Sequence, residues 1–369
     1  MIKYFQIENF KSIRRNAFSF ENLNLFFGMN GMGKSSVIQA LLLLRQSYYT
    51  NHQKGIDGIY MNGDLARLGT ARDIFCQTAD ADFIRYYIMC SERECYDFKF
   101  DYLQDNVDKD FMRRSDDTVS DEERYDDAIF NDHFYYLGAE HLAPQKQYST
   151  EKWGHSTVNP LGMRGEYVVP LLAEYGNRYR VADKLCIKGK SNRLLDQVSA
   201  WMAEISPGIK ISAELMPLLE QAKLLISYTG ERLVTDSILP VNVGFGIPYV
   251  LPLVVELLIS DENSILLLEN PESHLHPRGQ TVVAHLTALA AENGSQIICE
   301  SHSDHFINGI RVAVKKQDLN PNKLTVTYFD KNLDNETKLV QIMVDKNGEL
   351  SEYPTGLLDE WGVLMSELL

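Results

Sequence analysis

Four short runs in this sequence combine residue types that handle phosphate. The first, Gly28-Met29-Asn30-Gly31-Met32-Gly33-Lys34-Ser35, fits the pattern G-x-x-x-x-G-K-[ST]. Glycines at that spacing let backbone N–H groups curl around phosphate oxygens with no side chain in the way, and a helix starting at the lysine adds partial positive charge. Lys34 would neutralise the β and γ phosphates of a nucleotide, and Ser35 would ligate its Mg²⁺. The second run, Ile265-Leu266-Leu267-Leu268-Glu269-Asn270-Pro271-Glu272, is an apolar strand ending in acids. Glu269 stands where such a strand emerges and could hold Mg²⁺ through water. An acid after an apolar strand is commonplace alone, and its weight comes from the first run. The third is Glu300-Ser301-His302-Ser303 after the apolar residues 296–299. A histidine at that strand end could report a γ phosphate, whereas alone it would more often be a satisfied buried histidine. The fourth, Asn242-Val243-Gly244-Phe245-Gly246 ahead of Pro248, is a glycine-rich helix start suited to anions, and as a lone pattern it is weak.

The elements that must position these residues follow from hydropathy. Residues 2–7 alternate polar and apolar and residues 24–27 are an apolar run leading into glycines, so both read as strands. Residues 36–48 carry Val37, Leu41 and Leu44 at helical spacing, giving strand, glycine loop, helix. Residues 83–89 and 96–102 suggest an antiparallel hairpin. A strongly acidic stretch at 101–132, with Asp116, Asp117, Asp121, Glu122, Glu123, Asp126 and Asp127, reads as an exposed insertion. A helix at 193–204 and strands at 209–214 and 223–228 follow. The last third alternates helix (248–259), strand (264–268), helix (277–293), strand (296–299), helix (305–316) and strand (324–329), which argues for a parallel sheet covered by helices. A hairpin at 339–350 turning at Asn347-Gly348 and an amphipathic end at 357–368 complete the reading. The organisation is an N-terminal lobe (1–100), a middle region (101–240) and a C-terminal lobe (241–369).

Composition limits the function classes. The 369 residues are 44% hydrophobic and 24% charged, which is globular usage. No apolar run is long enough to cross a bilayer and there is no basic-then-apolar leader, so a cytoplasmic protein away from membranes is expected. The five cysteines are scattered with no CxxC pair, which suggests reduced thiols and neither a disulfide framework nor structural zinc. A net charge of −15 disfavours indiscriminate adhesion to DNA. Any such contact must be local, and the best candidate is the run holding Arg178, Arg180, Lys184, Lys188, Lys190 and Arg193 beside Tyr175 and Tyr179, which reads first as a solvated surface.

The segments FQIENFKSI, GMNGMGKSS, NVGFGIPYVLP, LLLENPESHLHP and ESHSDHFINGIR, in this order, resemble ABC-type ATPases of the SMC and RecF sort. They resemble most the OLD-like bacterial ATPases, many of them found in anti-phage defence. The resemblance implies an α/β ABC-type ATPase head: a mixed sheet with helices on both faces, an antiparallel β subdomain and an inserted helical or irregular region. It further implies that Asn30, Gly31, Gly33, Lys34, Ser35 and Ser36 hold ATP and Mg²⁺, that Glu269 is the Walker B acid and that His302 is the switch histidine. Gly244 and Gly246 would cap the nucleotide of a second subunit, so ATP would join two heads into a homodimer or higher oligomer. Gln77 would be the metal-contacting glutamine, although the sequence around it matches poorly.

One departure from that family bears on catalysis. Where ABC ATPases usually keep the glutamate that activates water, this chain has Asn270, which cannot accept a proton. Glu272 could substitute if the strand end has bent at Pro271. The expectation is therefore a slow ATPase that controls a separate effector or nuclease, with DNA a further candidate partner. The alternative is a regulatory nucleotide-binding module that restrains a toxin with little hydrolysis. A nuclease within the chain is not expected, because only about forty residues follow the last core strand. His274 with His276, or His302 with His305, lacks a third ligand for a metal cage, and Ser301-His302-Ser303 are chain neighbours that seldom face one another as a hydrolytic triad would.

Overall fold

The computed structural model describes residues 1–91, 94–115, 128–151, 153, 158–230, 234–332 and 336–368. The acids Asp116 to Asp127 named above lie outside the described residues. The chain forms two compact units: Met1–Phe134 with Leu324–Asp345 and Leu350–Leu369, and Tyr135–Lys323 with Lys346–Glu349. These units are drawn differently from the three sequence lobes, because residues from Leu324 onward group largely with the N-terminal ones.

In the first unit, strands Ile13–Ser19, Tyr4–Phe10, Phe83–Ser91 and Glu94–Asp101 form a four-stranded antiparallel sheet in that order. Alternate residues Phe5 and Ile7 are fully buried and meet the buried Tyr86 and Ile88 across the pairing, the period-two pattern of a half-buried sheet. The strand Leu23–Phe27 is different: all five residues are buried, as expected of a strand covered on both faces. It pairs in parallel with Leu324–Lys331, which pairs antiparallel with Thr337–Ile342, so this sheet is mixed. The helix Lys34–Lys54 follows directly; at 21 residues it is about 30 Å long.

This unit adds one strand to the sequence reading and corrects one expectation. The strand Ile13–Ser19 was unread because Arg14, Arg15 and Asn16 interrupt its alternation. The expected hairpin at 339–350 is replaced by pairing of Thr337–Ile342 with Leu324–Lys331, which sets Leu339 against the fully buried Phe329. A shorter closure forms around Asn347-Gly348: the bridge Val344–Leu350, with the Ser351 N–H donating to the Met343 carbonyl at 2.9 Å. The Asn-Gly pair is a strong local turn signal, but it says nothing of which strand lies alongside.

In the second unit, strands Ile265–Glu269 and Gln296–Glu300 pair in parallel, with Glu269 opposite Glu300. Helices Gly246–Ile259, Pro277–Glu292 and Asp304–Lys315 alternate with them, as the sequence pattern predicts. A separate antiparallel sheet orders Ile209–Met216, Gln221–Tyr228 and Tyr148–Ser149. The fold is thus α/β with a mixed sheet and separate antiparallel sheets. No described helix is long and apolar enough to cross a membrane.

A buried histidine makes the second unit acid-sensitive. His141 is 4% exposed, its ring stacks on Tyr249 at 4.1 Å, and its Nδ1 lies 2.6 Å from the Tyr249 carbonyl oxygen, which fits an Nδ1–H donor. Nε2 is buried without a hydrogen-bond partner among the described residues. Burial therefore lowers its pKa to about 4, assisted by His274 and opposed by the Tyr249 carbonyl. Above the unfolded value of about 6.5 both states are neutral, and stability is fully present. As pH falls, the unfolded chain binds a proton that the folded one refuses, so about 2 kcal/mol is lost between pH 8 and pH 5. His141→Gln should lose correspondingly less over that interval in urea unfolding; an identical pH slope would contradict this.

Candidate functional site

The glycine loop leaves the buried strand Leu23–Phe27 at Gly28, whose φ of 133° lies outside the range of ordinary side chains. A Cβ there would sit 2.3 Å from the Phe329 carbonyl oxygen, so strand packing alone demands glycine. Gly33 (φ 104°) is hemmed in by Thr337 Oγ1 and Ser12 Oγ at 2.6 and 2.9 Å from the same hypothetical atom. Thr337 donates to the Met32 carbonyl at 3.1 Å and lies 2.9 Å from the Ser12 hydroxyl, so these two hydroxyls brace the loop from outside. Gly31 (φ 79°) is the opposite case, with nothing within 4 Å of its hypothetical Cβ among the described residues. Sequence reasoning missed this role of both hydroxyls: Ser12 lies in the quoted segment FQIENFKSI, where nothing marks it for the loop, and Thr337 lies in no quoted segment.

Lys34 begins the helix and is 3% exposed. Its ammonium donates to the carbonyls of Gly28 and Met29 at 2.7 and 2.9 Å, drawing the loop into a closed turn. Among the described residues no side chain caps this helix start, and its first turn contains no acid. An uncapped helix start with orphan N–H groups and no nearby carboxylate suits a bound anion. Asn30 and Gly31 are exposed, Ser35 is half-buried and Ser36 is buried. The residues present therefore fit a nucleotide phosphate group: an open glycine, an uncapped helix and a lysine whose partners are carbonyls that a stronger acceptor can replace. Gln77 lies exposed in a turn beyond the short helix Ala71–Ile74.

In the second unit the acids gather at the ends of the two parallel strands. Tyr136 donates to Glu269 Oε1 at 3.3 Å. Burial raises the Glu269 pKa to about 7, with Glu300 pushing the same way and hydrogen bonds from the Ala139 backbone and Tyr136 opposing. A carboxylate held this reluctantly ionised is ready for a cation, since a divalent ion offsets both burial and like-charge repulsion. A carboxylate oxygen so placed is of the type that suits a hard cation such as Mg²⁺.

Asn270, at φ 50°, donates its backbone N–H to the Glu300 carbonyl at 2.9 Å. Its Oδ1 is buried without a hydrogen-bond partner among the described residues. Glu272 is 7% exposed, and its Oε1 accepts the His302 backbone N–H at 2.9 Å. Burial raises the Glu272 pKa, while the His302 N–H lowers it. His302 Nε2 stands 3.8 Å from Glu300 Oε1. The sequence reading named Glu269, Glu272 and His302 but missed Tyr136 and Glu300. The parallel register that sets Glu269 opposite Glu300 was the available signal for Glu300.

The two glycines ahead of the helix Gly246–Ile259 differ in kind. A Cβ on Gly246 would lie 2.5 Å from the His274 carbonyl oxygen, so packing explains this glycine. Gly244 is exposed, with nothing within 4 Å of its hypothetical Cβ among the described residues. The cations Arg178, Arg180, Lys184, Lys188, Lys190 and Arg193 are all exposed. Tyr179 beside them is tied down by a 3.0 Å bond to the Ile259 carbonyl.

The fold is similar to that of SMC heads: a solved Smc head bound to the C-winged helix domain of ScpA matches with a TM-score of 0.51 at 14% identity, covering 94% of this chain and 99% of that one. The SMC head domain from Thermotoga maritima gives 0.47 at 12% identity, covering 93% and 99%. The Smc head with an extended coiled coil, bound to the C-terminal domain of ScpA and derived from Pyrococcus furiosus, gives 0.47 at 13%, covering 100% and 99%. No curated protein matches significantly. Residues 319–368 match a family described as a protein of unknown function, DUF3696. Residues 1–159 and 183–307, well over half of the sequence, match the family described as AAA ATPase domain, and the chain belongs to that family.

Proposed function

We propose that this ATPase binds ATP with Mg²⁺ at the glycine loop, hydrolyses it slowly, and uses bound ATP to join two copies that control a separate effector or nuclease in anti-phage defence. The observation that carries this reading is the uncapped helix start at Lys34 beside the open Gly31. Asn30, Gly31, Gly33, Lys34, Ser35 and Ser36 bind the phosphates, Ser35 and Glu269 serve the Mg²⁺ with Gln77 as a further ligand, and His302 senses the γ phosphate. The bound Mg²⁺ supplies charge neutralisation at the transferring phosphoryl group. Slow turnover follows from Asn270, which cannot take a proton from water, and from Glu272, whose Oε1 is engaged by the His302 backbone. Gly244, exposed and unencumbered, is the better candidate for contacting a second copy's nucleotide; Gly246 completes that segment. The exposed cations near Arg178 are the surface on which DNA would be engaged.

Asn270 also favours a second reading, a module that holds ATP to restrain a toxin and barely hydrolyses it. DNA-stimulated hydrolysis supports the first reading; its absence together with tight ATP binding and a co-purifying effector supports the second.

The test combines steady-state hydrolysis with sedimentation. Purified protein should turn over well below the typical enzyme rate of about 10 per second. ATP should shift it to a dimer, and Gly244→Asp should abolish that shift while ATP binding persists. Turnover at the typical rate, or an unchanged sedimentation profile for Gly244→Asp, would count against the proposal.

A further inference from the structure

We propose that Glu300 is a positioning residue for His302, fixing its imidazole while Glu272 fixes its backbone. This rests on the reading of His302 as the γ-phosphate sensor. Glu300 closes the strand Gln296–Glu300 and is 6% exposed, an expensive place for a carboxylate that a glutamine of equal size could fill. Its Oε1 lies 3.8 Å from His302 Nε2. The intervening backbone is fixed on both sides. Asn270 N–H bonds the Glu300 carbonyl at 2.9 Å and Glu272 Oε1 accepts His302 N–H at 2.9 Å. Ser303 Oγ then caps the helix Asp304–Lys315 by accepting from the backbone N–H groups of His305 and Phe306.

The His302 side chain is 39% exposed, and Glu300 lies against its Nε2 side. A carboxylate 3.8 Å from one ring nitrogen biases the ring's orientation through its charge. Glu300 is thus placed to act through His302.

Single-turnover hydrolysis of labelled ATP and the affinity for a fluorescent ATP analogue should be measured for the full chain, Glu300→Gln, His302→Gln and the double variant. Glu300→Gln should slow hydrolysis about tenfold with affinity nearly unchanged. It should add nothing to His302→Gln, and Glu300→Asp, which keeps the charge, should recover part of the rate. Losses that multiply in the double variant overturn the proposal, as does affinity falling in step with rate. A slowed His302→Gln beside an unaffected Glu300→Gln removes this inference alone. A His302→Gln that hydrolyses at the full rate removes the sensor reading and this inference with it.

Discussion

Lys34→Ala should weaken binding of a fluorescent ATP analogue by at least about a hundredfold. The ammonium would make charge-assisted bonds to phosphate oxygens, each worth about 1.5–3 kcal/mol, so losing two is enough for that factor. Lys34 also draws the Gly28 and Met29 carbonyls together, so alanine releases the loop as well as the charge. The two effects are separable. Loosening of the loop would lower the thermal midpoint of the nucleotide-free protein, whereas the missing charge shows only in the affinity. Lys34→Arg is the informative companion, because it keeps the charge but its broader head does not fit a turn built for a point donor. Binding by Lys34→Ala at wild-type affinity would mean that the glycine loop is not the nucleotide site.

What could be read from the sequence follows from the range of each interaction. The glycine loop was legible because its requirements are local: Gly28, Gly31 and Gly33 take left-handed backbone angles within six residues, and Lys34 reaches back to the loop it follows. The strand and helix pattern from Gly246 to Leu324 was legible for the same reason, through alternating apolar segments of helix and strand length. Ser12 and Thr337 were hidden because they meet across more than three hundred residues, and no local pattern marks a hydroxyl that braces a distant turn. Glu300 was hidden in plain view: it stands in the quoted run with His302, but its role depends on the register with Glu269. Gly246 shows the converse. Its pattern suggested anion binding, yet the carbonyl of His274, far along the chain, is sufficient reason for a missing side chain.

The second large effect is expected on stability, at Arg45 on the helix that Lys34 begins. Arg45 is 0% exposed, and its guanidinium lies 4.1 Å from the Phe134 ring centre and 5.0 Å from that of Tyr49. Nη1 donates to the carbonyls of Ile129 and Asn131. Burial lowers its pKa to about 10, opposed mainly by Tyr49 and Asp132, so it stays charged at neutral pH. Arg45→Met fills the space and removes the cost of burying a charge, which alone would favour the variant. Against this it strands two carbonyls, at about 1–3 kcal/mol each, and forfeits the cation–π contacts, at about 1 kcal/mol or more. The losses win, and a destabilisation of about 3 kcal/mol is expected in urea unfolding. Arg45→Lys should not rescue it, since one ammonium cannot both serve the two carbonyls and lie flat between rings. A methionine variant within about 1 kcal/mol of wild type would show that the buried charge costs as much as its bonds return.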